Sequence, residues 1–103
     1  MVSIKSPKAA CAQACHQLEQ LPNVGPAMAG DLRQLGIRLP ADLIGQDAYR
    51  LYRRLEQATG KRQDPCVLDT FMAIVDFMNG AAPRPWWAYT PERKRLHGAL
   101  HIA

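Results

Sequence analysis

Apolar positions recur along this chain at helical spacing, broken at intervals by proline and glycine. Over residues 8–20, Cys11, Ala14, Cys15 and Leu18 fall on one side of a helical wheel, and Gln13, Gln17 and Gln20 on the other. That pattern predicts a short amphipathic helix. Leu21-Pro22 ends it, because a proline pushes the residue before it out of the helical region. Pro26 suits the first turn of a second helix over 27–35, where its missing N–H costs nothing. This helix turns Met28 or Ala29, Leu32 and Leu35 inward, and Gly36 caps its C-terminus. A single helical turn follows over 41–44, closed by Gly45. Asp47 is a good N-cap for a helix over 48–59. Its inner side is Ala48, Leu51, Tyr52, Leu55 and Ala58, its outer side Arg50, Arg53, Arg54 and Gln57, and Gly60 ends it. Asp64-Pro65, a cap followed by a first-position proline, opens a helix over 66–78. Only Asp69, Thr70 and Asp76 interrupt its apolar surface, the pattern of a central, buried helix. After Gly80 the chain turns irregular, and Thr90-Pro91-Glu92 signals a last short helix over 93–100. No segment alternates as a strand would. The organisation expected is a loose terminus over 1–7, a helical domain over 8–79 and an extension over 80–103 that packs on the domain or extends from it.

Composition adjusts this picture little. The chain has 103 residues, enough for one domain. Aromatic residues make up 7% of it, so Leu, Ala, Val, Ile and Met must fill most of the core. Net charge is +4 and the isoelectric point about 9.3, compatible with an anionic partner. Placement matters more than the total. Residues 1–40 carry four basic and two acidic side chains, and residues 80–103 four and one. Residues 41–79 carry five basic and six acidic, so the positive charge gathers at the two ends. Three cysteines without a framework spacing argue against a secreted disulfide scaffold. No signal core follows Lys5 and Lys8, and no apolar run approaches a membrane span. The expectation is a cytoplasmic protein with no membrane association.

The segment Leu21-Pro22-Asn23-Val24-Gly25-Pro26 joins the first two predicted helices. Gly25 permits a positive φ and lets another molecule approach the main chain closely. The N–H groups of Gly25, Ala27 and Met28 would then face outward at a helix N-terminus. Free donors and the helix dipole together suit a phosphate-sized anion. Such a contact needs no particular side chain, which fits a partner held by its backbone.

Leu-Pro-Asn-Val-Gly-Pro-Ala-Met-Ala, with Asp31-Leu32-Arg33 and Leu35-Gly36-Ile37 behind it, resembles the helix-hairpin-helix motif of DNA-repair and competence proteins. A wider stretch runs from Leu21 to about Lys94. With Gly60-Lys61-Arg62-Gln63-Asp64-Pro65-Cys66-Val67-Leu68-Asp69, Trp86-Trp87 and Thr90-Pro91-Glu92-Arg93-Lys94, it resembles the bacterial pathogenicity-locus family, whose members are described as mitomycin-resistance proteins. The resemblance implies an all-α fold: a compact five-helix tandem helix-hairpin-helix domain, SAM-domain-like, with an irregular Trp-containing C-terminal extension. The first hairpin unit would be 8–35, the connector 41–44, and the second unit 48–78 with its turn at 60–65. It also implies a DNA-binding protein without sequence preference, acting in DNA repair or damage resistance. The contacts would come from Asn23, Val24, Gly25, Pro26, Ala27 and Met28, flanked by Arg33, Lys61 and Arg62.

Two departures weigh against DNA. The second turn offers Lys61 and Arg62 in place of a second close-approach glycine. Ala27 and Met28 stand where DNA-binding hairpins carry a cation, and each missing phosphate contact weakens binding. The alternative is a protein-interaction adaptor with a degenerate hairpin.

The remaining chemistry is sparse. Cys11, Cys15 and His16 could join His97 and His101 at a metal, since each like pair has i, i+4 spacing. The stronger reading makes Cys11 and Cys15 small hydrophobes, with no metal. Trp86, Trp87 and Tyr89 could stack on bases, although folding back over the core is favoured. Asp69 and Asp76 suit caps or ion pairs better than catalysis. No nucleophile, base or ligand set stands out, so neither enzyme activity, cofactor nor small-molecule substrate is expected.

Overall fold

The computed structural model describes residues 7–98, and every element among them is helical. Four α-helices carry the fold: α1 (Pro26–Gln34), α2 (Ala48–Thr59), α3 (Pro65–Met78) and α4 (Thr90–His97). Four short 3₁₀ turns accompany them, at Ala12–Ala14, Leu18–Gln20, Pro40–Leu43 and Trp86–Tyr89. The five-helix expectation therefore resolves differently. Its first helix and its connector are 3₁₀ turns, and a further α-helix lies in the C-terminal stretch. Residues 1–6 and 99–103, including the expected end of the last helix and His101, lie outside the described residues. No helix among the described residues is long and apolar enough to cross a membrane.

α3 is the hub. Leu68, Phe71, Ile74 and Phe77 are fully buried. α2, α4 and the turns at Pro40–Leu43 and Trp86–Tyr89 all pack on α3. Its start is fixed as the sequence predicts: Pro65 takes the first position and Asp64 accepts from the Cys66 amide at 3.0 Å. α2 begins the same way, with Asp47 accepting from the Arg50 amide at 3.0 Å. It buries Leu51, Tyr52 and Leu55, but Ala58, expected inside, is exposed. The Tyr52 hydroxyl donates to the Gln63 carbonyl and so ties the α2–α3 turn to α2. α1 buries Ala29 and Leu32. It closes with Gly36 at φ +85 and the Ile37 amide reaching back to the Leu32 carbonyl at 3.0 Å, the glycine-capped ending predicted for it. Arg54 of α2 donates to the Leu35 carbonyl at 2.7 Å and covers another open acceptor at that end.

The predicted helix over 8–20 does not form. Ala12–Ala14 and Leu18–Gln20 are single 3₁₀ turns with Cys15 and Gln17 extended between them. The Gln20 side chain accepts from the His16 and Gln17 amides at 2.8 and 2.9 Å, taking donors a continuous helix would have used. The inward residues are Ala9, Cys15, Leu18 and Leu21, with Ala12 half-buried. Their step is three, the 3₁₀ repeat, not 3.6. Cys11 and Ala14, placed inside by the helical reading, are exposed.

The C-terminal stretch is pinned to the core at three places. Asp69 of α3, buried, accepts from Arg93 Nε at 2.8 Å and from the Thr90 hydroxyl at 2.7 Å. The Asp69–Arg93 pair realises the ion-pair reading of Asp69. Tyr49 of α2 stacks on His97, ring centroids 4.5 Å apart. Asn23, in the turn before α1, holds residues 84–86 by two hydrogen bonds described below.

Candidate nucleic-acid interface

The turn before α1 is anchored from inside. Leu21 and Val24 are buried and plug it into the core. The Val24 amide donates to the Leu21 carbonyl at 3.3 Å. Between them Asn23 adopts φ +67, the left-handed conformation that the sequence assigned to Gly25. Asn tolerates this region better than other side-chain-bearing residues because its short amide bonds locally. Gly25 is extended, at φ −99 and ψ −175, so the chain itself does not require glycine there. Gly25 is exposed, and a Cβ built on it would meet nothing within 4 Å. Space for close approach is thus present, and only an outside body could contest it.

α1 begins without a side-chain cap. Pro26, its first residue, has no N–H, and the Ala29 amide makes the first helical bond to the Gly25 carbonyl at 2.9 Å. The amides of Ala27 and Met28, just ahead of that first bond, are the donors an α-helix leaves without an intrahelical partner at this end. Gly25, Pro26 and Ala27 are exposed and Met28 is half-buried. Main chain and helix dipole together present positive potential there.

A cation from outside the turn lies against it. Lys8 Nζ donates to the Val24 carbonyl and, at 2.9 Å, to the Glu19 carbonyl, so its charge sits beside the turn. No sequence motif marks Lys8, which lies 16 residues before Val24. Arg84 was missed for the same reason. The Asn23 Nδ2 donates to its carbonyl at 2.8 Å, and Asn23 Oδ1 accepts from the Trp86 amide at 3.3 Å. Asn23 therefore faces a strap of the chain itself, and Gly25 to Met28 form the open part of the turn.

The flanking residues divide. Arg33 lies seven positions along α1 from Pro26, roughly 10 Å at 1.5 Å per residue. It is held by Glu19, Nη2 to both carboxylate oxygens at 3.0 Å. The Glu19 carboxyl is lowered by hydrogen bonding with main chain and by the Arg33 and Lys8 charges. Lys61 and Arg62 are exposed in the turn between α2 and α3, a separate loop from Asn23–Met28. Arg53 pairs with Glu56 at 3.7 Å, and Arg54 caps α1, so the Arg stripe of α2 is partly engaged within the fold.

The other candidates separate too. Trp86 is half-buried but Trp87 is 61% exposed, so the pair does not cover the core as expected. Tyr89 is the buried aromatic of that segment. Cys15 is buried and its thiol pushed up by that burial, whereas Cys11 faces outward. The i, i+4 helix face that would have joined them is absent. Among the described residues no cluster of three His, Cys, Asp or Glu side chains is placed to hold a metal ion.

Comparison with known proteins adds a family. The profile of the family described as pathogenicity locus matches residues 11–95. A protein of Streptomyces lavendulae named mitomycin resistance protein McrB is 49% identical over 79 residues, covering 77% of this chain and 75% of its own length. No solved structure matches.

Proposed function

The chain belongs to the pathogenicity-locus family, and from that premise we propose that it binds DNA by the phosphate backbone through the turn at residues 23–28, in the service of damage resistance. The observation that carries this reading is the uncapped start of α1 behind an exposed, unobstructed Gly25. An anion there would meet the amides of Ala27 and Met28, with the Lys8 ammonium beside Val24. A main-chain site of this kind is blind to base sequence. The similarity to a protein named for mitomycin resistance supports the biological direction. In this reading residues 18–34 are a helix-hairpin-helix unit whose first arm has shrunk to one 3₁₀ turn.

The test is a fluorescence-anisotropy titration with mixed-sequence duplex at about 50 mM salt, where phosphate contacts are strong. Gly25→Leu is the informative variant. Its backbone is already extended and its Cβ position is open, so the fold is retained while approach is blocked. Wild type should bind and the variant should lose at least tenfold. No binding at tens of micromolar protein, or equal binding by both, removes the turn from the mechanism.

A second reading, a protein-interaction adaptor, is favoured by Leu39, Ile44, Trp87 and Leu96, each more than half exposed. It takes over if the duplex fails to bind and a purified partner buries these side chains.

A further inference from the structure

Two of the α-helices open in the same way, on a residue followed by proline at the end of a turn: Gly25-Pro26 at α1 and Asp64-Pro65 at α3. In both the proline takes the first helical position and offers no N–H. The caps differ. Gly25 has no side chain, and α1 begins uncapped. Asp64 lays its carboxylate on the start of α3, Oδ1 accepting from the Cys66 amide at 3.0 Å. One residue earlier, the Gln63 amide donates to the Glu56 carboxylate at 2.9 Å. Two main-chain donors around the second turn are therefore held by carboxylates of the chain itself.

Charge divides the two turns in the same sense. Asp64 is exposed, and the hydrogen bond from the Cys66 amide lowers its carboxyl, so it is ionised at neutral pH. With Glu56 it sets two negative charges against the positive charges of Lys61 and Arg62. A carboxylate at a helix N-terminus uses the same donors and the same dipole that a phosphate would. A phosphate arriving at α3 meets like charge and finds the Cys66 amide taken. At the first turn the Lys8 ammonium lies against the Val24 carbonyl. Glu19, whose charge Lys8 also meets, is paired with Arg33.

We propose that Asp64 keeps phosphate off the second turn, so that the protein holds duplex by the first turn alone and touches one strand of its backbone. The inference rests on the reading of residues 23–28 as the phosphate-binding turn and says how far that contact extends. The Ala27 and Met28 amides with Lys8 suit about one or two phosphates, so the logarithm of the binding constant should fall against the logarithm of salt with a slope of about −1 to −2.

The experiment titrates the full chain with a short mixed-sequence duplex at several salt concentrations, by fluorescence anisotropy. Asp64→Asn keeps the cap, since Asn and Asp cap about equally well, and removes the charge. It should bind about threefold or more tighter at about 50 mM salt, with a slope steeper by about 1. Asp47→Asn is the control, because Asp47 caps α2 in the same way, on the Arg50 amide, at a helix start that follows neither turn. It should bind like the wild type. Gly25→Asp makes the opposite exchange. The Gly25 backbone is extended and its Cβ position open, so an aspartate there caps α1. Its thermal midpoint should hold or rise while its affinity falls by about tenfold or more.

A wild-type slope steeper than about −3 means more phosphates than one turn can reach, and overturns the inference. So does Asp64→Asn binding with wild-type affinity and slope, or Asp47→Asn gaining as much as Asp64→Asn. Gly25→Asp binding like the wild type while Gly25→Leu loses its affinity overturns it too. In each of these cases the first turn stands as the contact. Failure of the wild type to bind the duplex overturns both readings.

Discussion

Asn23 carries two burdens in this structure. Its backbone holds φ +67, and its side-chain amide supplies both hydrogen bonds to the strap. The left-handed conformation costs a residue with a Cβ about 1–2 kcal/mol, less for Asn than for most. Each exposed or half-buried hydrogen bond returns about 0.5–1.5 kcal/mol. Two substitutions separate these contributions. Asn23→Gly keeps the turn relaxed and removes the tether, so urea unfolding should show a loss of about 1–2 kcal/mol. Asn23→Ala removes the tether and forces an Ala into the left-handed region, adding about 1 kcal/mol. Both should alter tryptophan emission in the folded state, since Trp86 loses its anchor. Equal losses in the two variants would show that the turn relaxes out of the left-handed conformation. Unchanged emission would mean the strap is held by other contacts. No reading of the sequence could have found this tether. Asn23 is 61 residues from Arg84 and 63 from Trp86, and Asn-Val-Gly reads locally as turn chemistry complete in itself.

Among the elements, α1, α2 and α3 were legible because each boundary carries its own local chemistry. Pro26 and Pro65 sit at first positions, Asp47 and Asp64 accept the capping hydrogen bonds, and Gly36 and Gly60 take left-handed endings. Of the candidate site only the position of the helix start was legible: Gly25-Pro26 announces a helix N-terminus, and α1 begins there without a side-chain cap, whereas Val24 is buried and Asn23 is tied to residues 84–86. The segment before it was not legible. Steps of three and of 3.6 both admit Cys15 and Leu18, and Cys11, Ala12 and Ala14 tell them apart. What decides is Gln20, whose side chain turns back onto the His16 and Gln17 amides. The Ala9 amide on the Gln20 carbonyl, 2.9 Å, then closes the segment into a loop. Gln20→Ala should therefore speed hydrogen exchange at His16 and Gln17 and cost about 1 kcal/mol, with α3 amides unaffected. If exchange there is unchanged, backbone and burial of Leu18 and Leu21 hold the arm without the glutamine. The extension shows both limits together. Thr90-Pro91-Glu92 gave α4 its start, but the exposure of Trp87 depends on Tyr89 taking the buried place instead.

Over the whole molecule, acid stability follows from where the carboxylates work. Asp42 accepts from the Arg38 and Leu39 amides, both at 3.0 Å, and these bonds lower its carboxyl below the ordinary 3.8. The Cys66 amide does the same for Asp64 at the start of α3. Glu19 is held below its ordinary 4.5 by main-chain hydrogen bonding and by Arg33. A carboxyl lowered in the folded state stabilises it at every pH above the unfolded value, and that contribution fades as pH falls through the folded one. The thermal midpoint should therefore stay level from pH 8 to about 5 and drop below about 4. The three groups serve different elements: the Pro40–Leu43 turn, the hub helix and the arm before the turn. Asp42 and Asp64 are exposed and Glu19 is half-buried, so each contribution is modest and screened by salt, and the decline should be gradual. The alkaline side has the opposite sign. Burial raises the Tyr52 hydroxyl above its ordinary 10, with the Glu56 charge adding to it. A raised acid contributes stability below its unfolded value and loses it as pH rises beyond, so destabilisation should begin above about pH 10. Tyr52→Phe shrinks that alkaline limb, the rest of which comes from Tyr89 and the Cys15 and Cys66 thiols that burial also raises, and leaves the acid limb in place. It costs about 1–3 kcal/mol at neutral pH because the Gln63 carbonyl loses its donor. Calorimetric scans of wild type and Tyr52→Phe from pH 3 to 11 check both limbs. A midpoint already falling at pH 6, or an alkaline limb unchanged in Tyr52→Phe, overturns this account.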